Sequence, residues 1–384
     1  MNKKPGAIVL EGHVQGLSNT RSLGELGIPV YVLDVVHCLA EHSKYCSRFF
    51  LCPPFGSEEF IWFLMDIAKS ERLEGWLLVP SNDHIVENLS LHRKELSDYY
   101  KMLVPENGML QNIVNKRNLL SLAKSCNVPI PQTCYFDGLR DVRELRFPVL
   151  VKGNKGLDFY KSTHVKAIQA NTYNELMSTI SGLERIKEDV MIQEMIPYDN
   201  LSRAVSFTCF AVEGEIKSFW MGQKIREHPI LFGTATMSES VRVDSILPNA
   251  RVLVNALHYT GTCEIEFMYD SRDQQYKLIE INPRTWLWVG LAKECGVDYA
   301  KIMYRFVNDQ TQSYPDGYMV GVKWRNSITD SYYGAVALLK KQVSLNGFTK
   351  SLRGRIVHAV WSSKDVLPGV VFPFMLWSIA KHRR

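Results

Sequence analysis

Short apolar runs alternate with amphipathic stretches over the first hundred residues of the chain. Runs at 7–10, 30–33 and 76–80 predict strands, whereas the spacing of apolar residues at 18–26 and 58–69 predicts helices. Strands that alternate with helices favour βαβ units on a parallel sheet. The hydrophobic pattern therefore predicts an α/β domain at the amino terminus.

The turn after the first predicted strand contains Gly12 and Gly16. Ligands of parallel sheets bind outside the carboxyl ends of the strands, so His13, Gln15 and Ser18 are predicted to face a pocket. The turn has no G-x-G-x-x-G sequence, and a turn with a purely structural role remains the alternative.

A second region begins near a helical pattern at 115–126, which the proline-bearing segment 128–131 ends. Residues 147–152 form a short apolar run that ends at Lys152, and a glycine-bearing loop follows. Further strand-like runs lie at 190–196 and 207–212. We expect the loop after Lys152 to cover phosphates.

Segments 262–269 and 276–282 flank a polar turn at 270–275 and predict an antiparallel hairpin. Alternate residues of a strand share a face. One face of the hairpin is therefore predicted to carry these residues of the two strands: Glu264, Glu266 and Met268, and Leu278, Glu280 and Asn282.

Three oxygen-bearing side chains on this face are the predicted Mg2+ ligands: Glu266, Glu280 and Asn282. Magnesium prefers hard oxygen donors, and proteins often hold it with one or two carboxylates while nucleotide phosphates and water complete the shell. Arg284 follows directly after Pro283, so its guanidinium is predicted beside the metal, where it suits a carboxylate or a phosphate. A solvated hairpin that carries three polar residues by chance is the alternative.

The sequence resembles the ATP-grasp superfamily over most of its length. Glu-Ile-Glu-Phe at 264–267 and Ile-Glu-Ile-Asn-Pro-Arg at 279–284 resemble the metal-binding strands of that family. Lys116 and Lys152 resemble its two phosphate-binding lysines. The resemblance also implies a strand whose backbone meets adenine and a ribose contact, which correspond here to Gln193, Glu194, Met195 and Ile196, and to Asp199.

Within the superfamily, the chain resembles predicted carboxylate-amine ligases of the D-aspartate ligase type, through segments 20–24, 80–83, 129–133 and 224–229. The likeness implies an ATP- and Mg2+-dependent ligase that forms an amide or peptide bond through an acyl phosphate. Arg284 is then expected to stabilise the carboxylate and its acyl phosphate. Lys224 and Arg226 are expected to border an anionic substrate, with a solvated basic loop as the alternative.

The resemblance also implies a mixed α/β and α+β architecture in four parts. They are a pre-ATP-grasp parallel α/β domain at 1–112, a small ATP-grasp subdomain at 113–188, a large subdomain with the metal site at 189–310, and a carboxyl-terminal extension at 311–384.

One segment departs from the family pattern. Many members carry several glycines after the second lysine, whereas residues 153–158 read Gly-Asn-Lys-Gly-Leu-Asp. Fewer glycines limit the close approach of the backbone to phosphate oxygens. Charge on Lys155 or Lys161 is one compensation, although a solvated surface lysine is the favoured interpretation of each. A protein that binds ATP without ligase turnover therefore remains an alternative, and a carboxylase that forms carboxyphosphate is another.

The composition of the chain limits the classes of molecule that it is predicted to bind. A net charge of +5, from 45 basic and 40 acidic residues, is low for a nucleic-acid binder, so small-molecule carboxylates and amines, amino acids among them, are the predicted substrates. Eight scattered cysteines and the lack of a signal-like apolar run predict a cytoplasmic protein. The basic tail around 366–379 favours a helix docked on the body, and weak contact with an anionic membrane is the alternative. A homo-oligomer is compatible with these patterns.

Overall fold

The computed structural model of the protein describes residues 5–135, 142–183, 186, 189–197, 204–228 and 233–382. The predicted ribose contact, Asp199, lies outside the described residues.

The amino-terminal region is a parallel α/β domain, as predicted. Its strands are β1 Ala7–Leu10, β2 Val30–Asp34, β3 Arg48–Leu51, β4 Trp76–Pro80 and β5 Tyr100–Met102, and they are parallel in the order β3-β2-β1-β4-β5. Its helices are α1 Val14–Glu25, α2 Glu58–Ser70, α3 Asp83–Leu91, α4 Arg93–Leu96 and α5 Asn107–Val114. Every residue of the central strand β1 is buried, which explains its uninterrupted apolar sequence.

A small antiparallel sheet follows the helix α6 Lys116–Ser125. Its strands are β6 Thr133–Tyr135, β7 Val149–Gly153, β8 Ile168–Ala170 and β9 Val190–Glu194, in the order β6-β9-β7-β8. Helices α7 Gly156–Thr163 and α8 Tyr173–Gly182 lie between these strands in sequence. Because β9 pairs with both β6 and β7, the expected border after residue 188 is wrong, and this strand belongs to the small sheet.

The third sheet has seven strands among the described residues. They are β10 Ala204–Val212, β11 Glu215–His228, β12 Thr234–Ser240, β13 Gly261–Asp270, β14 Gln275–Asn282, β15 Lys323–Arg325 and β16 Ile356–His358, in the order β14-β13-β10-β11-β12-β15-β16. The accompanying helices are α9 Leu247–Ala256, α10 Val289–Glu294, α11 Tyr299–Val307, α12 Ser327–Leu339, α13 Leu345–Ser351 and α14 Leu367–His382. The residues expected to form a separate extension thus add the last two strands to this sheet.

The predicted hairpin is present as β13 and β14, but a β-bulge alters its faces. Glu266 lies opposite Glu280, whereas the next residue, Phe267, lies opposite Leu278, so Ile279 is the extra residue. Leu278 is consequently buried with Phe267 in the hydrophobic core. The prediction that Leu278 shares the polar face of Glu280 is therefore wrong, because the bulge interrupts the alternation between them.

The amino-terminal domain and the large sheet share one hydrophobic core. Val14 and Leu17 of α1 belong to the same buried cluster as Trp220 of β11 and Trp286, which follows β14. Trp220 and Trp286 are stacked, with ring centroids 5.9 Å apart. This shared core fixes the loop after β14 against the first domain, and the loop carries Arg284.

The carboxyl-terminal helix α14 is anchored at its start. Asp365 is buried and accepts hydrogen bonds from Arg21 Nε at 2.8 Å and from Ser43 Oγ at 2.8 Å. Further along the helix, Phe374 is 82% exposed. Among the helices in the described ranges, none combines the length and the apolar content of a membrane span. Weak contact of this segment with a membrane surface stays the alternative to a docked helix.

Candidate active site

One large cleft lies where the three sheets meet, with a volume of about 1640 Å³. Its walls come from α3 of the first domain, from β7 and β9 of the small sheet, and from β11, β13 and β14 of the large sheet. Every described residue that was predicted to bind nucleotide, metal or substrate lines this cleft: Lys116, Lys152, Gln193, Glu194, Met195, Ile196, Lys224, Arg226, Glu266, Glu280, Asn282 and Arg284.

The three predicted metal ligands occupy one face of the hairpin. Glu266 on β13 is directly opposite Glu280 on β14, and Asn282 is opposite Glu264. Cross-strand neighbours of this kind lie within about 5.5 Å at Cβ, so their side-chain oxygens converge on one region of the cleft.

Glu264 is a further carboxylate of this face that we had not assigned to the site. It is only 3% exposed, and it accepts hydrogen bonds from Ser206 Oγ at 2.7 Å and from Asn282 Nδ2 at 3.1 Å. Burial and the neighbouring charge of Glu266 raise the pKa of Glu264 to about 7. Its position two residues before Glu266, on the same face of the strand, is the signal in the sequence that could have identified Glu264 as a site residue. In the structure, Glu264 orients the amide of Asn282.

The donor set fits magnesium. It consists of two carboxylates and an amide oxygen, all hard ligands, and it contains no histidine or thiolate. In the described part of the chain, no cluster of three or more His, Cys, Asp and Glu side chains is arranged to hold a metal by itself. A magnesium ion at this face therefore requires additional oxygens from water or phosphate.

Lys116 and Lys152 approach the carboxylate face from the small-sheet side. Lys116, the first residue of α6, lies with Nζ 3.6 Å from Glu280 Oε2. Lys152, on β7, donates from Nζ to Gln193 Oε1 at 3.0 Å. Burial and the nearby charge of Lys116 lower the pKa of Lys152 to about 8, although Glu280 opposes the shift. The two ammonium groups therefore repel each other in the absence of an anion.

Glu280 has the lowest pKa of the carboxylates on this face for which a shift is resolved. Burial acts to raise its pKa, but the charges of Lys116 and Lys224 outweigh burial and lower it to about 2. Glu280 is therefore ionised at neutral pH, as a metal ligand must be.

Lys224 on β11 faces the same site. Its Nζ lies 3.3 Å from Glu266 Oε2. Burial acts to lower the pKa of Lys224, but Glu266 and Glu264 outweigh burial and raise it above the usual range. Lys224 is thus a permanent cation within the cleft.

Arg226 has a different environment, although it also borders the cleft. Its Nε and Nη2 each donate to the carboxylate of Asp330 at 2.7 Å, and its guanidinium lies over the ring of Phe348, 4.6 Å from the centroid. Asp330 is fully buried and also accepts from Arg325 Nε at 2.6 Å. These contacts join β11 to α12 and α13, so the geometry indicates a structural part for Arg226.

Arg284 is held by the first domain. Its Nε and Nη2 donate to the two carboxylate oxygens of Asp83 at 2.7 and 2.9 Å. Burial acts to lower the pKa of Arg284, but Asp83 outweighs burial and, with Glu264 and Glu280, raises it above the usual range.

The predicted adenine strand forms the opposite wall. Glu194 and Gln193 are the buried end of β9, and Met195 and Ile196 follow it. The Glu194 carboxylate accepts from the Arg146 backbone N–H at 2.8 Å and lies 3.3 Å from Arg272 Nη1. These contacts occupy its oxygens, so backbone groups of the wall are better placed than this side chain to meet a base.

The glycine-poor loop is short because α7 begins at Gly156, only three residues after β7 ends. The backbone N–H of Lys116 donates to Asn154 O at 2.8 Å, which ties this loop to the start of α6. Lys116 Nζ lies 3.7 Å from the point where a Cβ on Gly156 would stand. The start of helix α7, whose first N–H groups have no acceptor within the helix, thus lies near Lys116 in place of a glycine-rich loop.

The first strand-to-helix turn does not face the cleft. Gln15 Nε2 donates to Thr285 O at 2.7 Å and to Thr285 Oγ1 at 2.9 Å. Neither His13, Gln15 nor Ser18 is among the residues that line the cleft. Gln15 instead supports the loop that carries Arg284.

Comparison with known proteins agrees with this geometry. The model of the family "Carbamoyl-phosphate synthase L chain, ATP binding domain" matches residues 225–313. D-aspartate ligase from Enterococcus faecium (strain Aus0004) is 22% identical over 245 residues, which cover 59% of this chain and 58% of that protein. The chain therefore spans less than two thirds of the length of this relative.

Solved structures share the fold. N5-carboxyaminoimidazole synthetase from Staphylococcus aureus has a TM-score of 0.65 at 16% identity, and the match covers 83% of this chain and 81% of that one. The biotin carboxylase domain of Hydrogenobacter thermophilus 2-oxoglutarate carboxylase, solved with MgADP, ADP and bicarbonate, has a TM-score of 0.64 at 14% identity, and the match covers 83% and 74%. This chain therefore has the ATP-grasp fold.

The predicted ATP-grasp fold is thereby confirmed, and the cleft occupies the junction of its subdomains. The matched segment 225–313 contains the entire β13–β14 hairpin with Glu264, Glu266, Glu280 and Asn282. The roles of individual residues in this protein remain predictions.

Proposed function

We propose that the protein is an ATP- and Mg2+-dependent carboxylate-amine ligase that activates a small-molecule acid as an acyl phosphate. The observation that carries the proposal is the convergence of Glu266, Glu280 and Asn282 with three cations, Lys116, Lys152 and Lys224, in one cleft. A magnesium-nucleotide complex matches this pattern because its metal needs oxygen ligands and its phosphates need cations.

The lysines supply binding and orientation. Lys116 and Lys152 lie on one side of the carboxylate face, where they hold the α- and β-phosphates of ATP. Phosphate binding relieves the repulsion between the two ammonium groups, and their mutual proximity therefore favours an anion. Glu266, Glu280 and Asn282 would hold magnesium, which would supply charge neutralisation for the phosphates of the nucleotide.

The proposed reaction has two steps. A carboxylate oxygen of the acid attacks the γ-phosphorus of ATP, the bond to the β-phosphate oxygen breaks, and ADP leaves. The amine then attacks the acyl carbon, the bond to the phosphate oxygen breaks, and inorganic phosphate leaves while the amine loses a proton. Arg284 and Lys224 stabilise the negative charge that develops on the carboxyl oxygens, and no side chain needs to act as a nucleophile.

Amino acids are the first substrates to test because the relative at 22% identity is named for D-aspartate. Release of ADP is measured with a panel of amino acids as acid and as amine, and again with bicarbonate. The proposal predicts ADP release that depends on an acid and an amine together. ADP release with bicarbonate in place of the acid supports the carboxylase alternative, and nucleotide binding without ADP release supports a non-catalytic binding protein.

A further inference from the structure

Asp83 connects the amino-terminal domain to the proposed reaction centre. It lies 201 positions from Arg284 in sequence, yet its two carboxylate oxygens accept from Arg284 Nε and Nη2 at 2.7 and 2.9 Å. Two parallel N–H···O bonds of this kind fix both the distance and the plane of a guanidinium. Asp83 therefore determines where the fork of Arg284 points.

Within the described ranges of the chain, the hydrogen bonds of Arg284 leave two of its N–H groups for a second anion. A guanidinium has five N–H groups. Asp83 receives two of them, and the backbone oxygen of Thr285 receives one from Nη1 at 3.0 Å. The remaining two, one on each terminal nitrogen, are available to a carboxylate, and Arg284 lines the cleft.

The loop beneath Arg284 is fixed by the same domain. Gln15 Nε2 donates to both oxygens of Thr285, at 2.7 and 2.9 Å, and Asn19 Nδ2 donates to Thr285 Oγ1 at 3.1 Å. All three residues are buried, so these bonds are protected from water. The amino-terminal domain thus holds the Arg284 loop through α1 and the Arg284 side chain through α3.

Asp83 itself is held in place. It is the first residue of α3, and the helix is capped by the preceding residue, Asn82, whose side chain accepts from the Ile85 N–H at 2.9 Å. Asn82 Nδ2 also donates to Glu11 Oε2, at 3.0 Å, just after β1. Because Asn82 supplies the cap, the carboxylate of Asp83 is available for Arg284.

We infer that Asp83 is a positioning residue that directs the two remaining N–H groups of Arg284 at the carboxylate of the acid substrate. The inference rests on the proposed function. Asp83 also offsets the charge of Arg284, so that the pair recognises an acid mainly through the geometry of its hydrogen bonds. Loss of Asp83 therefore leaves Arg284 charged but misdirected, and it affects the acid more than the nucleotide.

The test compares Asp83→Asn, Asp83→Glu and a matched control in the wild-type background. Asp83→Asn keeps the shape of the side chain but removes its charge and replaces one acceptor by a donor that faces a guanidinium N–H group of Arg284. The control is Glu25→Gln, which removes another ion pair between the first domain and the rest of the chain, Lys293 Nζ to Glu25 Oε2 at 2.6 Å, away from the cleft.

Steady-state ADP release is measured with the acid-amine pair that gives the highest wild-type rate. Charged hydrogen bonds are stronger than neutral ones, so Asp83→Asn is expected to raise KM for the acid by about tenfold or more, while calorimetry is expected to give an affinity for a non-hydrolysable ATP analogue within about twofold of wild type. Asp83→Glu is expected to recover part of the loss, and Glu25→Gln to leave KM unchanged. An unchanged KM in Asp83→Asn, with only a lower melting temperature, overturns the inference.

Crystal structures of the wild type and of Asp83→Asn give a readout that is independent of turnover. A guanidinium of Arg284 that turns away from its wild-type position supports the positioning role, and one that stays in place overturns it. If the wild type releases no ADP with any pair, the proposed function fails, and the position of Arg284 still decides whether Asp83 orients it.

Discussion

Lys224 and Arg226 are two residues apart on β11, yet they lie in two different regions. The first region is the carboxylate face of the cleft, and the second is the contact of β11 with α12 and α13. Lys224 lies 3.3 Å from Glu266 on the carboxylate face of the cleft, whereas Arg226 is bound by the buried carboxylate of Asp330. The pairing register of β11 with β12 shifts between the two residues. Two neighbouring cations of one motif can therefore have different roles: Lys224 faces the site, and Arg226 stabilises the fold.

The largest effect is expected when Lys224, the cation on the carboxylate face of the cleft, is replaced. Lys224→Met is expected to lower kcat/KM for ADP release by about 10²–10³-fold, since it removes a fixed charge that stabilises the transition state. The melting temperature is expected to change by only about 3 °C, because Glu266 remains at the cleft surface. Kinetics and thermal unfolding of the variant measure both effects, and normal kinetics would exclude Lys224 from the site.

The second region is expected to respond in stability. Asp330→Asn leaves Arg226 and Arg325 without their shared carboxylate, and breaking a buried ion pair costs about 3–5 kcal/mol of unfolding free energy. Urea denaturation measures the loss. The matched control is Asp244→Asn, which breaks an exposed pair with Arg242 and is expected to cost less than about 1 kcal/mol. Equal costs for the two variants would contradict the division between the regions.

The affinity of the cleft for a nucleotide is also expected to depend on pH, because of Lys152. Burial and Lys116 lower the pKa of Lys152 to about 8, so Lys152 is protonated below that pH and loses its charge as the pH rises through it. The affinity for a non-hydrolysable ATP analogue is therefore expected to fall about threefold to tenfold between about pH 7 and pH 9.5, as one charged hydrogen bond weakens. Calorimetry measures this dependence. In Lys152→Arg, which stays charged, the affinity is expected to change less with pH, and an equal decline in both proteins would refute the assignment.

The smallest effect is expected for the exposed lysine after the glycine-poor loop. Lys161 is exposed, and its Nζ lies 4.0 Å from Asp158 Oδ1. An exposed ion pair of this kind contributes little to the free energy of unfolding. Lys161→Ala is expected to leave kcat/KM and nucleotide affinity within about twofold of wild type. A loss above about tenfold would show that Lys161 compensates for the missing glycines, contrary to its interpretation as a solvated side chain.

Local patterns in the sequence predicted much of the fold. The bounds of β1 and β4 are as predicted because both strands are short, buried and flanked by polar turns. The converging face of Glu266, Glu280 and Asn282 followed from alternation on two strands. Leu278 was misplaced because a bulge depends on the pairing of two strands, and β9 was misplaced because an apolar run does not specify its partner.

Contacts between elements that are far apart in sequence were the part that local patterns did not specify. The partners Asp83 and Arg284 are separated by 201 residues, and Arg226 and Asp330 by 104. Each pair forms only when separate elements pack together, so neither segment alone carries a signal for the other. The segment 80–83 resembles the family, but its contact with Arg284 forms only when the amino-terminal domain packs against the large sheet.

We propose that the carboxylate face of the hairpin holds magnesium together with a nucleotide. Calorimetric titration of a non-hydrolysable ATP analogue, with and without Mg2+, tests it in the wild type and in Glu280→Gln. Removal of one charged ligand is expected to abolish most of the magnesium effect, so Mg2+ should raise the affinity of the wild type by at least about tenfold and that of the variant by no more than about twofold. The same gain in affinity in both proteins would contradict the account.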